Sequence, residues 1–374
     1  MPVSCCWILA RAMRMAVLPV AMAIAPAAQA QRPQTALLGV YYGNQGWNMD
    51  QLRAMEAWQS KKHAVVNIFT DWCGRTKTLD NLFNQQLPGI WANGNVPVIT
   101  WEPYLCSPAA TPVDVEARAA RGDYDSYLNG WATRMKAFLS GPDRTLGTDD
   151  DRRVYMRLAH EMNGNWYPWG AAVGGNSPAD YVLMWQRVRG VFWSKGLDAS
   201  TVQWIWAVNH EDVGSVRAED YYPGPEYVDW IGIDGYNWGA SQSWSAWSTP
   251  EAVFGPMVAR LNYIGKPLAL TETASSSVRP GAVDVAAKSQ WITQLFSYAT
   301  STIGARMIVW FNEDKETDWA VFGGSNGDES YRSGRTSYKA YKSYRAAVKA
   351  SSLMPSNTAD PRLISDGMFA GTGW

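Results

Sequence analysis

Eight short apolar runs recur along the chain, and their regular spacing is the feature that most constrains its fold. Each run is continuous rather than alternating, which is typical of strands buried on both faces of a parallel sheet. Segments with helical spacing lie between them, and one apolar stripe contains Tyr181, Trp185 and Phe192. Strands that alternate with helices in this way predict a (β/α)8 barrel, the TIM-barrel fold. The predicted strands are 37–42, 64–70, 96–101, 154–159, 202–207, 228–233, 268–271 and 307–311.

The chain has 374 residues, which suits one large α/β barrel or two ordinary domains. We find no internal repeat and no linker, so a single catalytic domain is expected at 31–350, and the protein is expected to be a monomer. Beyond 351 the apolar periodicity is lost and Ser, Pro and Gly become frequent. Residues 351–374 are therefore predicted to form an irregular C-terminal tail.

The first thirty residues have the pattern of a secretory signal peptide. Arg11 and Arg14 precede an apolar stretch at 15–25, and the small residues of Ala28-Gln29-Ala30 form a cleavage site. Removal of residues 1–30 predicts a secreted or periplasmic protein. No later run in the sequence is apolar for long enough to serve as a membrane anchor.

The chain has four cysteines, of which Cys5 and Cys6 would leave with the signal peptide. Cys73 and Cys106 would remain in an exported protein. Two thiols are too few for a zinc site without histidines nearby, so a disulfide between them is the favoured interpretation.

Charge and aromatic content point to a neutral partner. Lys and Arg number 33 against 34 Asp and Glu, a net charge of -1 that lacks the excess of basic residues expected of a nucleic-acid-binding protein. The 21 Trp and 18 Tyr residues are unusually many. Most must fill the core, but a minority that line a groove would stack on sugar rings. A β-linked polysaccharide is the expected partner.

Two glutamates follow predicted strands, Glu161 after the fourth and Glu272 after the seventh. A carboxylate among apolar walls costs several kcal/mol without a partner, so an acid at each place suggests chemistry. Barrel enzymes build their active sites at the carboxyl ends of their strands. Hydrolysis of a glycosidic bond needs an acid for the leaving oxygen and a second carboxylate opposite it.

The local sequences at these strand ends resemble glycoside hydrolase family 26. The similar stretches are His160-Glu161-Met162-Asn163-Gly164 with Trp166-Tyr167-Pro168-Trp169, Asp234-Gly235-Tyr236-Asn237-Trp238, and Thr271-Glu272-Thr273. The resemblance implies a secreted, retaining endo-β-1,4-mannanase. It also implies that Glu161 is the acid/base and Glu272 the nucleophile, with carboxyl groups about 5 to 5.5 Å apart.

The resemblance assigns supporting roles to four further residues. His160 would orient the site, and Arg157 would hold Glu272 ionised. Tyr236 would donate a hydrogen bond to Glu272, and Asp234 would support the network.

The same resemblance and the strand-end positions give six candidate substrate-binding residues. Trp166 would line the leaving-group side, and Trp310 would form the floor beneath the attacked sugar. Candidate walls at other strand ends are Trp101, Trp238, Glu102 and Tyr41.

One departure from the family bears on the substrate. Mannanases of the family often carry a histidine on the strand-three side of the groove, where this chain has Thr100-Trp101-Glu102-Pro103-Tyr104. Another β-glycan, such as mixed-linkage glucan, xylan or a bacterial exopolysaccharide, therefore remains an alternative to mannan.

Two other classes of protein fit the sequence less well. A metal-dependent hydrolase would need a His-Glu-x-x-His motif, and no histidine stands four positions after His160. We therefore expect no metal and no cofactor. A non-catalytic carbohydrate-binding protein stays open, although it would not need both glutamates.

Overall fold

The computed structural model describes residues 34–357, 359 and 362–373. The predicted signal peptide at 1–30 lies outside the described residues. Among the helices of the described part, none is both long enough and apolar enough to cross a membrane.

Eight parallel strands form a closed barrel, which confirms the predicted (β/α)8 fold. Each strand pairs with its neighbour in the sequence, and the eighth pairs with the first in the register Leu37 to Met307. The barrel strands, called first to eighth below, are Ala36–Tyr41, Val65–Asp71, Val96–Glu102, Val154–Leu158, Val202–Asn209, Trp230–Asn237, Leu268–Ser275 and Met307–Phe311.

Helices cover the outside of the barrel and bury its apolar outer face. The start of the helix Pro178–Ser194 follows from its local sequence. Ser177 and Asp180 form a capping box, and Pro178 occupies the first turn. The α-helices are Asp50–Gln59, Thr76–Asn81, Leu87–Ala92, Val115–Arg121, Asp125–Leu139, Pro178–Ser194, Pro250–Leu261, Val285–Ser301, Lys342–Val348 and Asp366–Ala370, with a π-helical turn at Leu82–Gln86.

The sixth and seventh strands are longer than predicted, and each contains an acidic residue of the candidate site. The sixth runs to Asn237 and the seventh to Ser275, so Asp234 and Glu272 lie inside strands rather than after them. A register shift between Ile233 and Asp234 sets Asp234 beside Glu272. Such bulges re-aim side chains and are frequent next to active sites.

The C-terminal residues are not the irregular tail that the sequence suggested. Leu353–Met354 pairs in parallel with the first strand, and Asp366–Ala370 is helical. Phe369 packs on Tyr155 inside the amino-terminal end of the barrel, where the Tyr155 hydroxyl donates to the Phe369 carbonyl at 3.0 Å. The segment closes the bottom of the barrel.

A disulfide joins two loops at the opposite end. Cys73 follows the second strand and Cys106 follows the third, and the bond links them across 33 residues of sequence. The bond restrains these two loops at the carboxyl ends of the strands.

Candidate active site

A fully buried arginine organises the carboxyl end of the barrel. Arg157, on the fourth strand, donates through Nε to the Thr100 hydroxyl at 2.8 Å and through Nη1 to Asp234 at 2.6 Å. Its Nη2 donates to Glu272. The second oxygen of Asp234 accepts a hydrogen bond from Thr271 at 2.6 Å. A buried cation is thus paired with two carboxylates, the condition under which ions are tolerated in a protein interior.

Burial and neighbouring charge shift the pKa values of Arg157 and Asp234 in opposite directions. Burial lowers the pKa of Arg157, but the charges of Asp234 and Glu272 outweigh burial and leave it raised. Burial raises the pKa of Asp234 to about 7, with Arg157 opposing that shift. Tyr236 donates its hydroxyl to the other oxygen of Glu272. Each oxygen of the Glu272 carboxyl group therefore accepts one hydrogen bond, one from Arg157 and the other from Tyr236.

Glu161 lies on a strained turn that directly follows the fourth strand. Ala159 and Glu161 have φ values of 44° and 54°, in the left-handed region that non-glycine residues rarely adopt. Such residues cost of order 1–3 kcal/mol each and cluster at functional sites. The turn is pinned by the Glu161 N–H, which donates to the Ala207 carbonyl at 2.9 Å, and by Trp169, which donates to the His160 carbonyl at 2.7 Å.

Burial and nearby negative charge act on Glu161, whereas Glu272 pairs directly with Arg157. Burial first, and then the charges of Asp234 and Glu272, raise the pKa of Glu161 well above its ordinary value. The Trp166 indole N–H donates to Glu161 Oε2 at 2.8 Å. A carboxyl group whose pKa is raised in this way is suited to act as an acid.

His160 is buried beside Glu272. Burial lowers its pKa well below the ordinary value, and Arg157 adds to that shift. Its Nε2 is 3.8 Å from Glu272 Oε1. His160, Asp234 and Glu272 bring potential metal-ligand atoms within 4.8 Å of one another. The Arg157 guanidinium already pairs with both of these carboxylates, so a metal ion there would meet a like charge.

A cavity of about 1020 Å³ opens over the two glutamates. Its size is that of a ligand-binding cleft, and aromatic rings interspersed with polar groups line it. The aromatic side chains in its wall are Phe69, Trp166, Tyr167, Tyr236, Trp238, Trp244, Phe311 and Trp319. Polar members of the wall include Asn165, Asn209, His210, Glu211, Lys315 and Glu316.

Two predicted substrate-binding residues point away from this cavity, and those predictions are wrong. Trp310 is fully buried between the barrel and its helices, where its ring packs near Trp291 and its N–H donates to the Trp319 carbonyl. Trp101 is also fully buried and stacks on Trp131 at 4.2 Å between ring centroids. Successive strand residues face opposite sides of the sheet, and these two face the helices.

The remaining predicted wall residues lie at or near the cavity. Trp238 is half-buried in its wall. Tyr41 packs against Phe69 and Phe311, which line the cavity, but Tyr41 is not itself part of the lining. Glu102 is half-buried at the end of the third strand, and burial raises its pKa to about 7, with Glu272 adding to the shift.

Several wall residues were missed by the sequence analysis. Phe311 follows Trp310 and takes the inward position that was assigned to its neighbour. Tyr167 lies within the quoted family-like stretch and stacks on Trp169 at 4.4 Å. Trp319 follows the eighth strand, and its ring centroid lies 4.9 Å from that of Tyr236. The sequence around Tyr167 offered a signal, whereas Trp319 is identified only by the path of its loop.

Comparison with known proteins agrees with this geometry. A model described as Glycosyl hydrolase family 26 matches residues 84–266. Endoglucanase H from Acetivibrio thermocellus is 30% identical over 323 residues, which make up 85% of this chain and 31% of that protein. The chain belongs to glycosyl hydrolase family 26. The resemblance drawn from the strand-end residues is therefore confirmed.

Other similar proteins cover different shares of the chain. A mannan endo-1,4-beta-mannosidase from Bacillus subtilis is 26% identical over 235 residues, or 60% of each protein. The chain thus spans less than a third of Endoglucanase H and 60% of this mannosidase. The catalytic domain of a family 26 endo-beta-1,4-mannanase from a Bacillus species has the same fold, with a TM-score of 0.62 at 17% identity and 90% coverage of both chains.

Proposed function

We propose that this chain is a retaining endo-β-glycanase that cleaves a β-1,4-linked polysaccharide, with mannan the favoured substrate. The observation that carries the proposal is the contrast between Glu161, whose pKa is raised by burial and nearby charge, and Glu272, which accepts from Arg157 and Tyr236. One group is set to give a proton and the other to attack carbon.

In the first step Glu272 attacks the anomeric carbon of the bound sugar. The glycosidic C–O bond breaks as the proton of Glu161 passes to the leaving oxygen, and a covalent glycosyl ester forms on Glu272. Trp166 orients the acid through its bond to Glu161 Oε2 at 2.8 Å. Tyr236 and Arg157 align the attacking carboxylate before the reaction begins.

In the second step Glu161, now ionised, takes a proton from water. The resulting hydroxide oxygen bonds to the anomeric carbon, the ester breaks, and Glu272 returns as a carboxylate. The two inversions retain the β configuration. Each cycle consumes one water molecule: the first proton of Glu161 leaves on the sugar that departs, water restores that proton, and the water oxygen stays on the anomeric carbon of the second product.

A second candidate substrate is a β-glucan. The relative that covers 85% of this chain is named Endoglucanase H, whereas the mannosidase from Bacillus subtilis covers 60%. The third strand ends in Trp101 and Glu102 where mannanases of the family often carry a histidine. Glycan choice depends on such wall contacts rather than on the two catalytic carboxylates.

Export completes the proposal. We take residues 1–30 to be a signal peptide and 31–350 to be the catalytic barrel, with the protein secreted or periplasmic. The disulfide between Cys73 and Cys106 supports an oxidising location.

Reducing-sugar release on mannan, galactomannan, mixed-linkage glucan, cellulose and xylan tests the proposal, with products sized by chromatography. We expect short oligosaccharides of mixed lengths from mannan. Cleavage of glucan alone would support the second candidate. No release from any of these polymers, by a folded protein, would contradict the proposed activity.

The pH dependence of Glu161→Gln tests the acid. The acid works only when protonated, so the wild-type kcat/KM is expected to fall as pH rises through the raised pKa of Glu161. The variant should lose about 10²- to 10⁴-fold of activity and lack this alkaline limb. Glu102→Gln is the matched control, because that carboxyl also has a raised pKa yet lies on the third strand. If Glu102→Gln removes the limb and Glu161→Gln keeps it, the assignment is wrong.

A further inference from the structure

The loop after the sixth strand carries a large aromatic side chain that the proposed reaction does not use. Trp244 is 71% exposed and lines the same cavity as Glu161 and Glu272. An indole ring left this open to water forgoes the free energy that burial of its apolar faces supplies. Single aromatic residues scattered on a protein surface need no explanation, but Trp244 lies in the wall of a cleft, where such a ring can contact a ligand.

Trp244 stands at the end of a line of aromatic rings that begins at Glu272. Tyr236, whose hydroxyl donates to Glu272, has its ring centroid 6.2 Å from that of Trp238. The Trp238 centroid lies 5.2 Å from that of Trp244. All three rings line the cavity. They lead from the reaction centre to the open rim.

The loop that presents Trp244 is held in shape by its own hydrogen bonds. The buried Asn237 side chain accepts from the backbone N–H groups of Gly239, at 3.2 Å, and Ser248, at 2.9 Å. The Ser245 hydroxyl, next to Trp244, donates to the Gly239 carbonyl at 2.9 Å. These hydrogen bonds link the start of the loop, at Asn237 and Gly239, to Ser245 in its middle and Ser248 near its end. A ligand that stacks on Trp244 would therefore lose little free energy in ordering the loop.

We propose that Trp244 and Trp238 form a sugar-binding platform, outside the reaction centre, for a further unit of a bound β-linked polysaccharide. The axial C–H groups of a pyranose give it an apolar face that packs on indole, while its hydroxyls stay hydrated. This inference rests on the proposed function, because it takes the polymer as the ligand. Affinity then depends on chain length, since a short oligosaccharide fills the reaction centre without reaching Trp244.

Kinetics on oligosaccharides of different length test the platform. Trp244→Ala is expected to lower kcat/KM for mannohexaose or cellohexaose by about tenfold, which corresponds to one lost stacking contact. The shortest cleaved oligosaccharide should lose less than about twofold. Trp244→Phe keeps a flat ring and should recover most of the loss. Tyr263→Ala removes a ring of similar exposure, 70%, from outside the cavity wall and should match the wild type.

Binding in a Glu161→Gln background separates this inference from the proposed function. Calorimetric titration with mannohexaose and cellohexaose should give a Kd about tenfold weaker when Trp244→Ala is added. Equal Kd values for both sugars, or an equal loss on short and long substrates, would overturn the platform. A wild-type protein that cleaves no polysaccharide would instead overturn the proposed function, and the Kd comparison would still decide the platform.

Discussion

Glu272→Gln is expected to lower turnover of the polysaccharide by at least about 10⁴-fold while the fold and oligosaccharide binding persist. The amide keeps the shape of the carboxylate but cannot form the glycosyl ester. The substitution also replaces one of the two oxygens that accept hydrogen bonds from Tyr236 and Arg157 with an amide group. The loss should therefore fall on kcat rather than on KM. Initial rates and thermal unfolding of the variant check the expectation.

A direct readout of the intermediate accompanies the kinetics. A 2-fluoro glycoside slows breakdown of the ester, so mass spectrometry of the digested wild-type protein should find the sugar on the peptide that contains Glu272. Glu116→Gln is the matched control. Glu116 is fully buried between helices and has no hydrogen-bond partner for either carboxylate oxygen among the described residues. Its variant should keep wild-type turnover. Label on another residue would contradict the nucleophile assignment.

Arg157→Met is expected to lower the free energy of unfolding by about 3–5 kcal/mol at neutral pH. The substitution removes the cation that Asp234 and Glu272 share, and it leaves Asp234, which is fully buried, without an opposite charge. Denaturant unfolding of the wild type and the variant gives the difference. Arg187→Met is the control, because its pair with Asp125 is 37% and 40% exposed and should be worth less than about 1 kcal/mol.

The sign of the pH dependence separates lost charge pairing from lost packing. Without Arg157 the folded-state pKa of Asp234 rises further above its unfolded value, so the folded protein binds more protons than the unfolded one. Stability of Arg157→Met relative to the wild type should then increase as pH falls. A difference that stays constant from pH 8 to pH 5 would attribute the loss to packing alone.

The sequence predicted the barrel, and the strand ends that carry the candidate active site, because both depend on local signals. Continuous apolar runs mark strands covered on both faces, and Glu161 and Glu272 stand out as acids next to such runs. The same continuity hides which way each side chain points. Trp310 and Phe311 are both apolar and adjacent, and only the register of the closed barrel turns Phe311 to the cavity and Trp310 to the helices.

The C-terminal segment escaped prediction for a different reason. Leu363, Ile364 and Phe369 are too few to give a periodic pattern, and each is buried only because the barrel interior lies above it. Contacts between residues far apart in the sequence decide their structure, and no local window shows them. The strained turn at Ala159 and Glu161 also could not be predicted from the local sequence, because neither residue type favours a positive φ.

The closure of the barrel floor has a consequence for the order of events during synthesis. The ribosome makes all eight strands before it makes Leu363 and Phe369, which fill the amino-terminal end of the barrel. A nascent chain that has completed the eighth strand still lacks the side chains that cover Tyr155. The lower barrel interior therefore stays open to solvent until these residues emerge, so it consolidates after the eight strands have been made.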